Sequence, residues 1–404
     1  MVDHPLRPVH AVPRYGGAVP GRRHRRRARR RLGRPPAGGA AESEPDPGGG
    51  PNSDRRGGRH RDGESVPSPQ GRGVAAPPAT IPIAPPARTR STKPHQDPAE
   101  ARLAKLSAPV LEAVAKAAQA GTVPANLDPP LASAHADQPR PVADGCLIRW
   151  LGTGSGPCRY GPASARRTVV LFGDSHALQW FPALDHAAKA RHWRLESLTK
   201  TTCPPVQLSF FSPVLGRPYR ECDQWRATML ARIRAERPSL VVLGAARHYG
   251  DVYPFQIYGQ PWIAGLARMV RQLRATGARV LVLGPTPKPR VDVPDCLAEH
   301  LRDATACTTP RAVAVNTAGM AAERRAVLAA GGAYLDVTPW LCTASTCAVE
   351  VGNLLAYRDD NHLTTSYTTW LSPLLGDQLD QILQGPIGRA TASPAFRGGV
   401  DRAR

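Results

Sequence analysis

The run Thr168-Val169-Val170-Leu171-Phe172-Gly173-Asp174-Ser175-His176 constrains this chain more than any other. Five apolar or β-branched residues make a short buried strand, a glycine ends it, and Ala177-Leu178-Gln179-Trp180 opens a helical pattern. A sharp turn out of a strand favours a residue without a Cβ, which Gly173 supplies. The turn predicts Ser175 at the strand's C-terminal edge, over the N-terminus of the next helix. Open α/β sheets bind ligands there, and unpaired N–H groups can receive an oxyanion. Taken alone, the position reads more readily as a helix cap, with Asp174 or Ser175 accepting from the first turn and nothing else.

A second stretch shifts that weight. Tyr357-Arg358-Asp359-Asp360-Asn361-His362-Leu363 stands just before a helical run from Thr364 to Leu383. A serine nucleophile needs a base for its proton, and the base needs a partner to fix its tautomer. If the loop turns helically into Leu363, Asp359 and His362 lie on one side of it. Asp360 then points away and caps the final helix near Thr364. A lone D-x-x-H reads as a cap and an ordinary polar histidine. Together with G-D-S after the first strand, it reads as a nucleophile Ser175, a base His362 and an orienting Asp359.

At these motifs the chain resembles the SGNH (GDSL-like) hydrolase superfamily. It is more closely similar to the extracytoplasmic SGNH domain carried by bacterial membrane acyltransferases of the acyltransferase-three family, which modify surface glycans. The matching residues are Thr168–His176, Lys200 with Cys203-Pro204-Pro205, the apolar Leu240–Leu243, and Tyr357–Leu363. They span about Cys146 to Leu383, and more loosely the segment from Ala101. The resemblance implies a Ser175–His362–Asp359 triad, an acyl donor and a glycan acceptor as partners, and an upstream membrane acyltransferase domain or protein. It implies an extracytoplasmic or cell-envelope setting and calls for no cofactor or metal. Two positions depart from the pattern. Thr202 stands before Cys203 where a glycine donating to the oxyanion hole is expected. Gly244-Ala245-Ala246-Arg247-His248 replaces a G-x-N-D.

The core alternates strand and helix. Strands are predicted at 168–172, 194–198, 239–243, 279–283 and 333–337, and helices at 177–191, 219–236, 261–276, 311–330 and 365–384. Such alternation predicts a three-layer α/β/α sandwich around a central, mainly parallel five-stranded sheet, of SGNH or flavodoxin-like type. Ala183, Leu184 and Ala187 give the first helix its buried face. Arg226, Arg232 and Arg234 are expected on the solvated side of the second. Trp180 and Trp193 read as core or pocket wall. Lys200, Arg247 and His248 fall at strand ends, where pocket polar groups compete with solvated edge or loop structure. None of the three enters the catalytic set.

Residues 1–97 are rich in Arg, Pro and Gly without apolar periodicity, which predicts a disordered tail. Nineteen Lys or Arg against nine Asp or Glu in the first hundred residues supply +10 of the net +21. Charge of this density binds nucleic acid or anionic membranes without a fold. No aromatics interleave it, however, so a nucleic-acid role is not expected. The composition is equally that of a GC-rich message read in a wrong frame or upstream of the true start. Residues 98–145 predict a helical extension and linker, with Glu100–Ala120 amphipathic. Residues 146–386 predict the SGNH catalytic domain, and 387–404 a disordered C-terminal tail.

All eight cysteines lie between 146 and 347. Eight allow 105 pairings. Neighbour pairing, as 146–158, 203–222, 296–307 and 342–347, is the simplest. The irregular spacings, without C-x-x-C, argue against zinc, and an even, domain-confined set predicts disulfides and an extracytoplasmic compartment. Neither a signal peptide nor an apolar run long enough for a membrane span is visible. That conflict predicts a truncated or mis-started reading frame. The expected function is serine-dependent O-acyl transfer to an extracytoplasmic glycan through an acyl-enzyme. The alternatives are a carbohydrate or lipid esterase of the same type and a non-catalytic glycan-binding module on the same fold.

Overall fold

Alternation along seven strands produces the layers. The computed structural model describes residues 98–385 apart from 120, 250–252 and 254, so the tails predicted at 1–97 and 387–404 lie outside the described residues. The strands of the central sheet are β1 (Leu147–Ile148), β2 (Arg159–Tyr160), β3 (Thr168–Gly173), β4 (Arg194–Lys200), β5 (Leu240–Gly244), β6 (Arg279–Leu283) and β7 (Ala333–Leu335). Six of them run parallel in the order β1-β4-β3-β5-β6-β7. Val169 and Leu171 enter one core while Val170 and Phe172 enter the other. Leu240 and Val242 alternate with Val241 and Leu243 in the same way. Both faces are therefore buried, which is what near-continuous apolar strands demand. The five predicted strands are all present. The two extra strands flank β4, β1 parallel and β2 antiparallel. Two residues each are too few to leave a periodicity.

Among the helices are α1 (Pro98–Ala117), α2 (Ser175–Leu178), α3 (Phe181–Ala190), α4 (Arg220–Glu236), α5 (Gln260–Arg274), α6 (Thr317–Ala329), α7 (Thr365–Trp370) and α8 (Ser372–Gln384), and a further one spans Val293–Glu299. Three predicted helices divide. Pro182 has no N–H for the Leu178 carbonyl, so the first breaks into α2 and α3. Pro373 breaks the last in the same way. Val315 is extended and Asn316 caps α6 through the Gly319 N–H at 2.8 Å, so the predicted 311–330 helix is interrupted there.

The second helix corrects an expectation about its arginines. Arg234 is exposed, but Arg226 is only 5 % exposed, because its guanidinium donates to the Pro204 and Leu208 carbonyls and pairs with Asp223. Arg232 is half-buried against Glu196 and Glu236. Arginine hides its stem readily when backbone carbonyls satisfy the fork.

In α1, Leu103, Ser107, Val110, Val114 and Ala117 are buried, a stripe at helical spacing. The helix packs on α8, where Arg102 pairs with Asp377 at 2.7 Å. Disulfides join Cys146–Cys158, Cys203–Cys222, Cys296–Cys307 and Cys342–Cys347, which is the neighbour pairing. Among the described residues, no helix is long and apolar enough to cross a membrane.

Candidate active site

The order β4-β3-β5 reverses the direction of winding between β3 and β5, and the crevice at their C-terminal ends is where such sheets hold ligands. Two glycines let the elements close there. Gly173 and Gly244 are register partners; a Cβ on Gly173 would stand 1.9 Å from the Gly244 carbonyl oxygen, and one on Gly244 would stand 2.7 Å from Ala177 Cα. Asp174 is the N-cap of α2, and its buried carboxylate accepts from the His176 N–H at 2.8 Å. It also accepts from the Ala246 N–H at 2.9 Å and from the Tyr249 hydroxyl. The cap reading thus holds for Asp174, which ties the turn to the loop after β5 and leaves Ser175 at the first helical position.

The Tyr357–Leu363 loop is closed by a bridge between those two residues and by the Arg358 N–H donating to the His362 carbonyl at 2.9 Å. Inside it, Asp359 Oδ1 accepts from the N–H groups of Asn361 (2.9 Å) and His362 (2.6 Å). This is a side-chain-closed turn, not the helical turn expected from the sequence. It leaves Asp359 Oδ2 2.8 Å from His362 Nδ1, while His362 Nε2 lies 2.9 Å from Ser175 Oγ. The three residues singled out in the sequence are therefore in contact in the order serine, histidine, carboxylate. Burial opposes ionisation of Asp359, but the His362 ring and the two backbone donors outweigh it and hold the carboxyl below the usual carboxylate range.

Asp360 does not cap the last helix. Thr364 does, its Oγ1 accepting from the Tyr367 N–H at 3.2 Å, and Asp360 is exposed beside the Asn361 amide. Lys200 is neither a pocket cation nor a solvated edge. It is fully buried, and its Nζ donates to the carbonyls of Arg149, Trp150 and Gly152 at 2.8, 2.8 and 2.7 Å. Burial lowers the Lys200 ammonium to about 8. Arg247 is committed to a buried pair with Glu323, which also accepts from Trp262 Nε1 at 3.0 Å. His248 stacks edge-on to His176 at 4.9 Å.

Thr202 holds φ = 51°, the left-handed conformation a glycine adopts freely. A β-branched residue pays for that geometry with about 1–3 kcal/mol of strain. The backbone expected of glycine is thus present although the glycine is not. Ala246 cannot replace the absent asparagine donor, since its N–H is taken by Asp174.

Several contributors were not singled out from the sequence. Gln179 Oε1 accepts from the Leu363 N–H at 2.8 Å and anchors the histidine loop to α2. It follows Ser175 by one helical turn, so helical spacing carried that signal. His176 lies 4.6 Å from the His362 ring, and burial keeps its imidazole neutral, well below the ordinary histidine range. Arg358 donates to the Asp137 carbonyl at 3.1 Å, with its Nε 3.6 Å from Asp359 Oδ2. Nothing in local sequence marks that link across more than two hundred residues. On the surface, His135, Asp292 and Asp295 form a further cluster. Asp292 is the cap of helix Val293–Glu299 and raises the His135 pKa by its hydrogen bond, which accounts for the group.

A family model described as "SGNH domain (fused to AT3 domains)" matches residues 144–377. Among solved structures, the chain is similar to the periplasmic domain of a lipopolysaccharide acetyltransferase from Salmonella ser. Paratyphi A. The identity is 18 % over 59 % of this chain and 87 % of that one, with a TM-score of 0.43. It is also similar to TesA, at 16 % identity over 54 % of this chain and 98 % of that one, with a TM-score of 0.30. A third is a carbohydrate esterase family 2 enzyme with a carbohydrate-binding domain, from Corynascus thermopiles (Myceliophthora fergusii). There the identity is 14 % over 55 % of this chain and 69 % of that one, with a TM-score of 0.33. No curated protein matches the chain significantly.

Proposed function

Since this chain belongs to the family of SGNH domains fused to AT3 domains, we propose that it is an enzyme of serine acyl transfer whose catalytic residues are Ser175, His362 and Asp359. The observation that carries this reading is the continuous contact from Asp359 Oδ2 through the His362 ring to Ser175 Oγ, at 2.8 and 2.9 Å, at the crevice of the sheet. His362 takes the Ser175 proton as Oγ bonds to the acyl carbon, and Asp359 holds the tautomer that leaves Nε2 free to accept. The tetrahedral oxyanion is received by the N–H of Ser175 and by that of Thr202, whose left-handed backbone supports the second role. As the oxyanion collapses, the donor's alkoxide leaves with the proton from His362, and an acyl-serine remains. A glycan hydroxyl then gives its proton to His362 and attacks the acyl carbon; as the second oxyanion collapses, the bond to Ser175 Oγ breaks, Oγ takes that proton back from His362, and the glycan ester departs.

Water in place of that hydroxyl makes the same enzyme an esterase. Four disulfides support an extracytoplasmic setting, and the AT3 domains of the family support a membrane acyltransferase as the source of the acyl group. Boundaries at 98–145 for the extension and 146–386 for the catalytic domain accompany this reading. A non-catalytic glycan-binding module is favoured by one feature, the pair Ala245-Ala246 in place of a polar oxyanion donor. A fluorophosphonate probe separates the two. Labelling mapped to Ser175, and lost in a folded Ser175→Ala, is expected of the enzyme; an unlabelled wild-type chain leaves the binding module.

A further inference from the structure

We propose that the groove between the Glu350–Leu355 hairpin and α7 is a second saccharide site that takes a neutral sugar unit. The groove has a volume of about 790 Å³ and is walled in part by Asp128, Asn353, Thr365, Ser366, Thr369 and Trp370. That volume falls in the range of small-ligand sites, roughly 300–1,000 Å³. A pyranose presents apolar C–H faces and a rim of hydroxyls. It is matched by a flat aromatic surface flanked by planar groups that accept and donate in pairs.

Three side chains meet that description. Trp370 is half-buried and touches Tyr367 at a ring distance of 5.5 Å, and its indole Nε1–H has no acceptor among the described residues. The Asp128 carboxylate and Asn353 carboxamide are exposed and have no hydrogen-bond or ionic partner among the described residues. The hydroxyls are already committed, Thr365 to Asp137, Ser366 to the Asp128 carbonyl and Thr369 to the Thr365 carbonyl. Selectivity therefore falls to Asp128, Asn353 and Trp370.

The free groups stand on a rigid frame. The Asp128 N–H donates to the Asn353 carbonyl at 2.7 Å, and the Leu355 N–H donates to the Asp128 carbonyl at 2.9 Å. Gly352, at φ = 63°, makes the tight hairpin turn that presents Asn353. Groups held by backbone bonds lose little freedom when a ligand arrives. Charge selects the class of sugar. The lining has one carboxylate and no lysine or arginine, so an acidic sugar meets repulsion without compensation. The wall also shares a frame with the triad. Asp137 accepts from the Thr365 N–H at 2.6 Å, and its carbonyl takes Arg358, the neighbour of Asp359. The purpose of the site, holding a glycan near an acyl-enzyme, rests on the reading of the active site; its sugar binding does not.

The test uses the full ¹⁵N-labelled chain carrying Ser175→Ala, titrated with cellobiose, chitobiose and trigalacturonate. The Trp370 indole resonance is identified by its loss in Trp370→Phe. The neutral disaccharides are expected to shift it saturably, and Asn353→Ala or Asp128→Ala is expected to weaken the affinity about fivefold or more, as for one lost hydrogen bond. Both residues are exposed, so these variants fold even if changes at the half-buried tryptophan do not. An unmoved resonance, a shift indifferent to both variants, or equal binding of trigalacturonate overturns the proposal. Fluorophosphonate labelling of the wild-type chain reports on the triad separately. Labelling without a sugar-induced shift sinks this site alone, and a shift without labelling sinks the enzyme reading alone.

Discussion

Adjacent in sequence, Asp359 and Asp360 differ in what reaches them. Asp359 accepts from two backbone N–H groups and the His362 ring, whereas among the described residues Asp360 meets only the Asn361 amide. Asp359→Asn leaves the nucleophile in place but permits the wrong imidazole tautomer, so turnover is expected to fall by as much as about 10⁴-fold. Asp360→Asn is expected to change neither rate nor melting temperature. Thr364→Ala is the change that removes a cap, at about 1 kcal/mol of stability. Assays of the three variants for turnover and melting temperature decide the assignment, and a rate loss at Asp360 would reverse it. Acid should tell as well. The folded state holds the Asp359 carboxyl below its ordinary range, so its contribution to stability is complete above that range and is lost as pH falls. The acid limb of the stability profile should be shallower in Asp359→Asn. The pair Asp359 and His362 was legible because a carboxylate three residues before a histidine is a local pattern. Thr202 was legible only as a departure, since a β-branched residue does not announce a left-handed backbone. Arg226 misled because its buried carbonyl acceptors come from a loop that helical periodicity does not see.

Elements of the sheet were the most legible feature, since a strand buried on both faces is an unbroken apolar run bounded by turn residues. The helix breaks at Pro182 and Pro373 were there to be read from the missing N–H, and periodicity alone ran through them. The short hairpins were not legible, because a two-residue strand has no period. One of them carries a prediction. Glu350, in the strand Glu350–Val351, is 3 % exposed, and burial pushes its carboxyl up to about 7. The folded chain keeps that proton over a pH range in which the unfolded chain has lost it. Stability from this group is therefore full below the ordinary glutamate pKa and falls as pH rises through about 7. Glu350→Gln stays neutral throughout. Melting temperatures measured between about pH 5 and pH 8 should show a smaller fall for the variant than for the wild type, and parallel falls would remove burial of Glu350 as the cause.

The whole molecule is cross-linked unevenly with respect to the site, and this separates stability from activity. Each of the four bonds closes a loop of 5–19 residues in sequence separation. In the chain-entropy account each contributes about 2–3 kcal/mol by restricting the unfolded state. Non-reducing peptide mapping of protein from an oxidising compartment should recover all four pairs, and free thiols there would overturn both the pairing and the extracytoplasmic reading. Their positions differ. Cys296–Cys307 joins the middle of helix Val293–Glu299 to the turn Ala304–Cys307 and touches neither Ser175 nor the segment around Thr202 in sequence. Cys203–Cys222 ties the residue after Thr202 to the first turn of α4, where the Tyr219 hydroxyl also holds the Thr201 carbonyl at 3.0 Å. A left-handed threonine persists only while its surroundings enforce it. Removing the second bond should release Thr202 towards ordinary backbone geometry and withdraw an oxyanion donor. The double variant Cys203→Ala/Cys222→Ala should therefore lose fluorophosphonate labelling rate well beyond what its melting temperature explains. Cys296→Ala/Cys307→Ala should lose a similar amount of stability with labelling intact. Equal labelling rates in the two folded double variants would detach Thr202 from the chemistry and leave the Ser175 N–H as the oxyanion donor.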